Sequence, residues 1–156
     1  MIVQPFRDGL AASIAAICGP RAYHWLPAMQ QSLLPEDCSY QGGCGPLPTA
    51  LHARCQRLAE TALRAIGPGV AGWVGCDLVL GQAADGTEDV LIEVNPRMTT
   101  SYIGLRHCVR SNLLSDLLDV ATGQFERFTY ADRVIRFTAA GDVLSEPRPA
   151  VPGLTT

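Results

Sequence analysis

Two alternating runs joined by a short turn constrain this chain more than any other feature. Val74, Cys76, Leu78 and Leu80 alternate with Trp73, Gly75, Asp77 and Val79, and Ala83-Ala84-Asp85-Gly86-Thr87 leads into Asp89–Asn95. Side chains two residues apart share a face of a strand, so two strands feed one core only if paired residue numbers sum to an even value. A type I turn at Ala84-Asp85 with Gly86 left-handed gives that parity, setting Ala83 opposite Thr87, Cys76 opposite Val94 and Asp77 opposite Glu93. A two-residue turn at Asp85-Gly86 gives the other parity and moves Asp77 to the far face. Patterning therefore predicts that Val74, Cys76, Ile92 and Val94 are buried, while Asp77, Glu93 and Asn95 share a cleft-facing side. Opposed carboxylates repel unless a cation lies between them, and all three residues offer the oxygen that a hard cation prefers. The bland alternative is an edge strand with a polar outer face. The carboxylate opposite Glu93 favours a metal site.

Pro96 ends the second strand and Arg97 follows. Three hydroxyl residues, Thr99, Thr100 and Ser101, then stand where a helix is expected to start, a natural place to hold an anion or simply to cap the helix. A cation site, a guanidinium and a run of hydroxyls thus fall within about ten residues of chain.

Gly72-Trp73-Val74-Gly75-Cys76-Asp77-Leu78-Val79-Leu80, a turn, and Leu91-Ile92-Glu93-Val94-Asn95-Pro96-Arg97 together resemble the carboxyl-terminal half of the ATP-grasp ligases. The continuing Met98-Thr99-Thr100-Ser101-Tyr102-Ile103-Gly104-Leu105-Arg106 is similar to the branch that contains the tyramine–glutamate ligase of methanofuran biosynthesis. The resemblance covers most of residues 2–123. It implies an α+β lobe over residues 1–145, with a mostly antiparallel sheet and helices on one face; the tail over 146–156, with Pro147, Pro149 and Pro152, reads by composition as disordered. The resemblance also implies ATP with Mg²⁺ (Mn²⁺ as the alternative), and ADP-forming joining of a carboxylic acid to an amine through an acyl phosphate.

Residue by residue, the resemblance assigns the metal to Asp77, Glu93 and Asn95. Arg97 would neutralise charge on the transferred phosphoryl group, and Thr99, Thr100 and Ser101 would orient the substrate carboxylate or acyl phosphate. Tyr40, Gly42 and Gly43 lie in what resembles the branch's substrate loop, which also reads as a plain surface loop. Gln4 and Phe6 fall on the strand between lobes whose backbone touches adenine, and Ser13 is a phosphate or substrate candidate. Gln4 and Ser13 read equally as ordinary strand residues. Ala11 stands where many members carry a ribose-binding Glu.

All twelve basic residues are arginine. Without lysine no Walker P-loop can form within this sequence. In the ATP-grasp ligases a phosphate-binding lysine comes from a first subdomain that would precede Ile2–Phe6. The expectation is that this chain is a fragment or acts with another polypeptide or a second copy, and is inactive alone. The rivals are a non-catalytic binding or assembly subunit, and a kinase-like enzyme that stops at the acyl phosphate.

A net charge of -3 gives no footprint for nucleic acid or an acidic membrane. No run reaches transmembrane length, and Arg7 and Asp8 interrupt any signal peptide. Six cysteines without a C-x-x-C pair suggest reduced thiols and a cytoplasmic protein. Cys38, Cys44, His52 and Cys55 match no common zinc spacing.

The remaining elements follow from periodicity. Ile2–Phe6 reads as a short strand, and Leu10–Ile17 is ambiguous, with the resemblance favouring strand. Ala22–Leu26 reads as a strand, and Ser32–Pro48 as an irregular loop. Thr49–Ile66 reads as a helix on Leu51, Cys55, Leu58, Ala62 and Ile66, with a Glu60–Arg64 pair. Ile103–Ala121 reads as helix in one or two pieces, with Ser111 capping the second and Gly123 ending it, and Arg133–Phe137 as an edge strand.

Overall fold

A computed structural model describes residues 5–147. Its strands are β1 (Leu10–Cys18), β2 (Tyr23–Trp25), β3 (Met29–Leu33), β4 (Tyr40–Gly45), β5 (Gly72–Leu80), β6 (Val90–Asn95), β7 (Arg133–Thr138) and β8 (Val143–Pro147). Its helices are α1 (Thr49–Ile66), α2 (Tyr102–Cys108) and α3 (Leu113–Thr122). The sheet runs β6-β5-β1-β3-β4-β7-β8, with β2 also on β1, and its pairings are antiparallel. This is the α+β fold expected.

β1 settles the ambiguity of the alanine-rich segment. It pairs with β5 along its whole length, from Leu10↔Leu80 to Cys18↔Gly72, and lies inside the sheet between β5 and β3. Small side chains suit a strand covered on both faces. Ala12, Ile14, Ala16 and Cys18 join Val74, Cys76, Leu78 and Leu80 under Cys55, Ala59 and Leu63 of α1. On the opposite face, Ala15, Ile17 and Trp73 pack with Leu105 of α2 and with Leu113 and Val120 of α3. The long helix thus covers the back of the sheet, and the two short helices close one end of the front.

The β5–β6 hairpin holds the central expectation in part. Gly86 N donates to Ala83 O at 3.1 Å, and Gly86 has φ 81°, so the left-handed turn forms where predicted. Cys76↔Val94, Asp77↔Glu93 and Gly75↔Asn95 are paired as parity requires. Nearer the turn, however, Leu78 pairs with Leu91 and Val79 with Val90, leaving Ile92 as an inserted residue. Such a bulge puts two consecutive residues opposite one partner. Ile92 is accordingly 44 % exposed and lines the cleft beside Glu93, while Leu91 and Val94 pack on the core. The expectation that Ile92 is buried is therefore wrong. The bulge, rather than uniform alternation, puts Glu93 opposite Asp77.

Other expectations are corrected. The glycine-rich segment is strand β4, not a loop: Gly42 pairs with Ser32 and Thr138, and Gly43 with Gln31 and Phe137. A Cβ on Gly42 would meet Phe137 O at 2.0 Å, so this glycine serves close strand packing. β7 is interior, because β8 pairs outside it. β8 includes Glu146 and Pro147, the first residues of the tail expected to be disordered; residues 148–156 lie outside the described residues. Ile66 is exposed, since the buried stripe of α1 is Cys55, Ala59 and Leu63. Asn112, not Ser111, caps α3 by accepting from the N–H groups of Leu114 and Ser115. The Glu60–Arg64 pair forms at 2.6 Å and Gly123 ends α3 in the left-handed conformation, both as read.

A pair not foreseen ties α1 to the hairpin. Arg54 Nε donates to Asp89 Oδ2 at 3.0 Å, its Nη2 contacts Asp89 Oδ1 and donates to Gly81 O, and Gly81 N donates to Asp89 Oδ1. Among the described residues no helix is long and apolar enough to cross a membrane.

Candidate functional site

The front of the sheet opens a cleft of about 400 Å³. Ser13 of β1, Asp77 of β5, and Glu93 and Asn95 of β6 line its floor, and Tyr40 of β4 is part of its wall. Arg97, Thr99, Thr100 and Ser101 lie where the chain leaves β6 for α2. Nine of the residues singled out from sequence therefore meet in one place.

Four do not. Gly42 and Gly43 sit within the sheet away from the cleft lining, and Phe6 is 77 % exposed and outside any strand. Gln4 lies outside the described residues. Arg106, in the run after the hydroxyls, is not among the cleft-lining residues and donates from Nε to His107 Nε2 at 3.1 Å. His52 accepts the Ala28 N–H at 3.2 Å through Nδ1, while Cys55 is on the buried stripe of α1 and Cys38 is exposed.

Asp77 is the electrostatic centre. Burial, the largest effect, pushes its carboxyl above the usual carboxylate range, and the charge of Glu93 adds to this. Hydrogen bonds from Gln31 and Asn95, and the charge of Arg97, act in the opposite direction. Gln31 Nε2 donates to Asp77 Oδ1 at 2.8 Å and Asn95 Nδ2 to Oδ2 at 3.0 Å. An ionised carboxylate only accepts, so both amides present nitrogen to it and keep their carbonyl oxygens for something else. Tyr40 is pushed up to about 12, first by burial and then by the negative charge of Asp77.

The donor set suits a hard divalent cation: two carboxylates and an amide oxygen, with one carboxylate disfavoured by burial and a like charge. A cation would relieve both penalties. Among the described residues no group of three or more His, Cys, Asp or Glu is gathered to hold a metal, and the third oxygen here is that of an amide.

The hydroxyls sit close over the sheet. Thr99 Oγ1 and Ser101 Oγ are 2.8 Å apart, and Ser101 opens α2 with no side-chain cap bond. Thr99 can approach β5 only because residue 75 is glycine, where a Cβ would lie 2.6 Å from Thr99 Cγ2. Sequence reading missed Gln31 and Ile92. The alternation Met29, Gln31, Leu33 would have pointed Gln31 into the cleft, had the following segment been read as strand. No local signal marks the bulge at Ile92.

The sheet carries an acid-paired hairpin followed by Asn-Pro-Arg, and the profile of the ATP-grasp domain matches residues 1–101. The chain belongs to the ATP-grasp family. It is similar in fold to an L-amino acid ligase from Bacillus licheniformis, with 19% identity, a TM-score of 0.66, and coverage of 84% of this chain and 35% of that one. It is also similar to N5-carboxyaminoimidazole synthetase from Staphylococcus aureus in complex with ADP, at 10% identity and a TM-score of 0.68, over 86% of this chain and 36% of the other. A third is phosphoribosylamine–glycine ligase from Thermotoga maritima, at 17% identity and a TM-score of 0.63, over 84% and 36% respectively. The chain spans about a third of the length of these structures. No curated protein matches it.

Proposed function

We propose that this chain is the metal- and phosphate-facing lobe of an ATP-dependent, ADP-forming carboxylate–amine ligase. The observation that carries the reading is the Asp77↔Glu93 pair on the cleft floor, with Asn95, Arg97 and three hydroxyls beside it. Asp77, Glu93 and the Asn95 carbonyl would hold Mg²⁺, which neutralises charge on nucleotide phosphates when bound. In the overall reaction an oxygen of the acid takes the γ-phosphoryl group and ADP leaves. An amine then attacks the acyl carbon, phosphate departs, and the amine gives up a proton.

The chain's own residues position and stabilise. Arg97 supplies fixed positive charge beside the transferred group. Thr99, Thr100 and Ser101 donate hydrogen bonds to the acid or acyl phosphate, Ser13 contacts phosphate or substrate from the floor, and Tyr40, neutral at physiological pH, can donate from the wall. Adenine contacts by the Gln4–Phe6 segment belong to the same reading. No lysine occurs in the sequence, so the lysine that the resemblance places against the phosphates would come from a further lobe, in the same polypeptide or another. The run Met98–Arg106 supports a finer assignment to a tyramine–glutamate ligase-like enzyme of methanofuran-type cofactor synthesis, in the cytoplasm.

The test is nucleotide binding by the 156-residue chain, followed by reconstitution with a lysine-bearing lobe. Mg-ATP should bind the chain weakly, at about 4–6 kcal/mol, that is tens of micromolar to millimolar. Glu93→Gln keeps the shape but removes a charge, and should weaken that binding without loss of fold. Reconstitution should yield ADP release that depends on the amine; ADP release without amine would indicate a kinase. No effect of Mg-ATP on thermal stability would favour a non-catalytic binding subunit. Steady amine-dependent turnover by the chain alone would overturn the need for a second lobe.

A further inference from the structure

Gln31 is a half-buried amide with no place in the roles above, yet it reaches across the sheet. It sits on β3, two strands from Asp77 on β5, with β1 between them. Neighbouring strands are about 4.8 Å apart, so the side chain must cross about 10 Å of sheet less the reach of Asp77 itself. It can do so because the β1 residues on this face are small. Ala12 pairs with Gln30 and Ser13 with Met29, which sets Gln31 level with Ala11, while Asp77 pairs with Ser13. The Gln31 amide thus lies diagonally over Ala11 and Ser13 and donates to Asp77 Oδ1 at 2.8 Å. Asn95 holds the other oxygen at 3.0 Å.

The geometry points to Gln31 as a positioning residue: its amide locks the Asp77 carboxylate in the orientation that faces Glu93, preorganising the cation site. This rests on the reading that Asp77, Glu93 and Asn95 hold a divalent ion. A carboxylate bonded through both oxygens cannot swing about its Cβ–Cγ bond without losing one of the two amides. A free carboxylate at the same place would have to be ordered by the ion itself. Partners of this outer kind typically change metal affinity about 10- to 100-fold. Small ions with strict geometry, such as Mg²⁺ and Mn²⁺, depend on preorganisation more than Ca²⁺, whose coordination is flexible.

The experiment measures Mn²⁺ and Ca²⁺ binding to the whole chain, Mn²⁺ by the loss of its free-ion electron paramagnetic resonance signal and Ca²⁺ by competition. Gln31→Leu removes the donor. Ala11→Val leaves Gln31 intact but raises a side chain in its path, and valine suits a strand. Both variants should weaken Mn²⁺ binding about tenfold, with a smaller loss for Ca²⁺ and a folded far-ultraviolet spectrum. A general loss of packing would lower both ions alike and would overturn the assignment. Unchanged Mn²⁺ affinity in both variants, with wild type binding normally, would also overturn it and leave the metal site standing. Failure of the wild-type chain to bind Mn²⁺ would instead bring down the metal reading and this inference with it.

Discussion

Gly75→Ala tests how closely the hydroxyl run is held to the sheet. The added Cβ would lie 2.6 Å from Thr99 Cγ2 and 3.1 Å from Thr99 Oγ1. Carbon atoms in good contact are about 3.5–4.0 Å apart, so the Thr99 methyl must retreat by about 1 Å. Threonine is stiff at its first side-chain torsion, and turning it would break the 2.8 Å Thr99–Ser101 hydroxyl contact, a loss of about 1 kcal/mol. Overpacking adds about 1–3 kcal/mol. Against this, alanine in extended backbone reduces the freedom of the unfolded chain, worth about 0.4–1 kcal/mol. The expected net loss is about 1–3 kcal/mol by urea denaturation.

In a Thr99→Ala background the nearest remaining Thr99 atom is the Cβ, at 3.5 Å, an ordinary contact. The same glycine substitution should there be neutral or stabilise by about 0.5 kcal/mol. The double-mutant cycle should therefore show a coupling above about 1 kcal/mol. Effects that add to within about 0.5 kcal/mol would refute the close approach of Thr99 to β5, and with it the account of why residue 75 is glycine.

Asp77→Asn should leave the apo protein within about 1 kcal/mol of wild type at pH 7, or more stable, because it removes a disfavoured charge and at most one amide bond. Since the folded carboxyl is raised by burial and Glu93, the native state holds its proton more tightly than the unfolded chain does. Wild-type stability from this group should fall as pH rises from the ordinary carboxylate range through the raised folded value, and the Asn variant should lack that fall in urea midpoints. Asp89→Ala strands Arg54, whose side chain is 10% exposed, and the Gly81 N–H; a loss of about 3 kcal/mol is expected in the same assay. Burial pushes the Cys18 and Cys76 thiols up to about 11 and Cys55 up to about 12. At pH 8 a thiol reagent followed by mass spectrometry should therefore label exposed Cys38 in the native protein, and those three only after unfolding.

The sequence alone determined the elements whose cause is local. The left-handed Gly86 and the span of α1 follow from turn chemistry and periodicity, which a linear reading can count, and core parity alone points to the pairing of Cys76, Asp77 and Gly75 with Val94, Glu93 and Asn95, although a bulge delivers it. It also determined the family, because the acid, the Glu-x-Asn-Pro-Arg run and the hydroxyls lie within about thirty residues of one another. Tertiary structure decided whatever depends on partners distant in the chain. The alanines of β1 suit helix or strand until two neighbouring strands and two helical layers surround them. Gly42 and Gly43 carry the composition of a mobile loop, yet β7, arriving about a hundred residues later, demands their lack of side chains. Ile92 looks like core by alternation, and only the competition between turn geometry and core packing inserts it as a bulge. Gln31 gives no local sign of its role, because its partner is forty-six residues away and two strands over. Residues whose environment is set by nearest neighbours could be placed from the chain itself; those whose environment is assembled across the sheet could not.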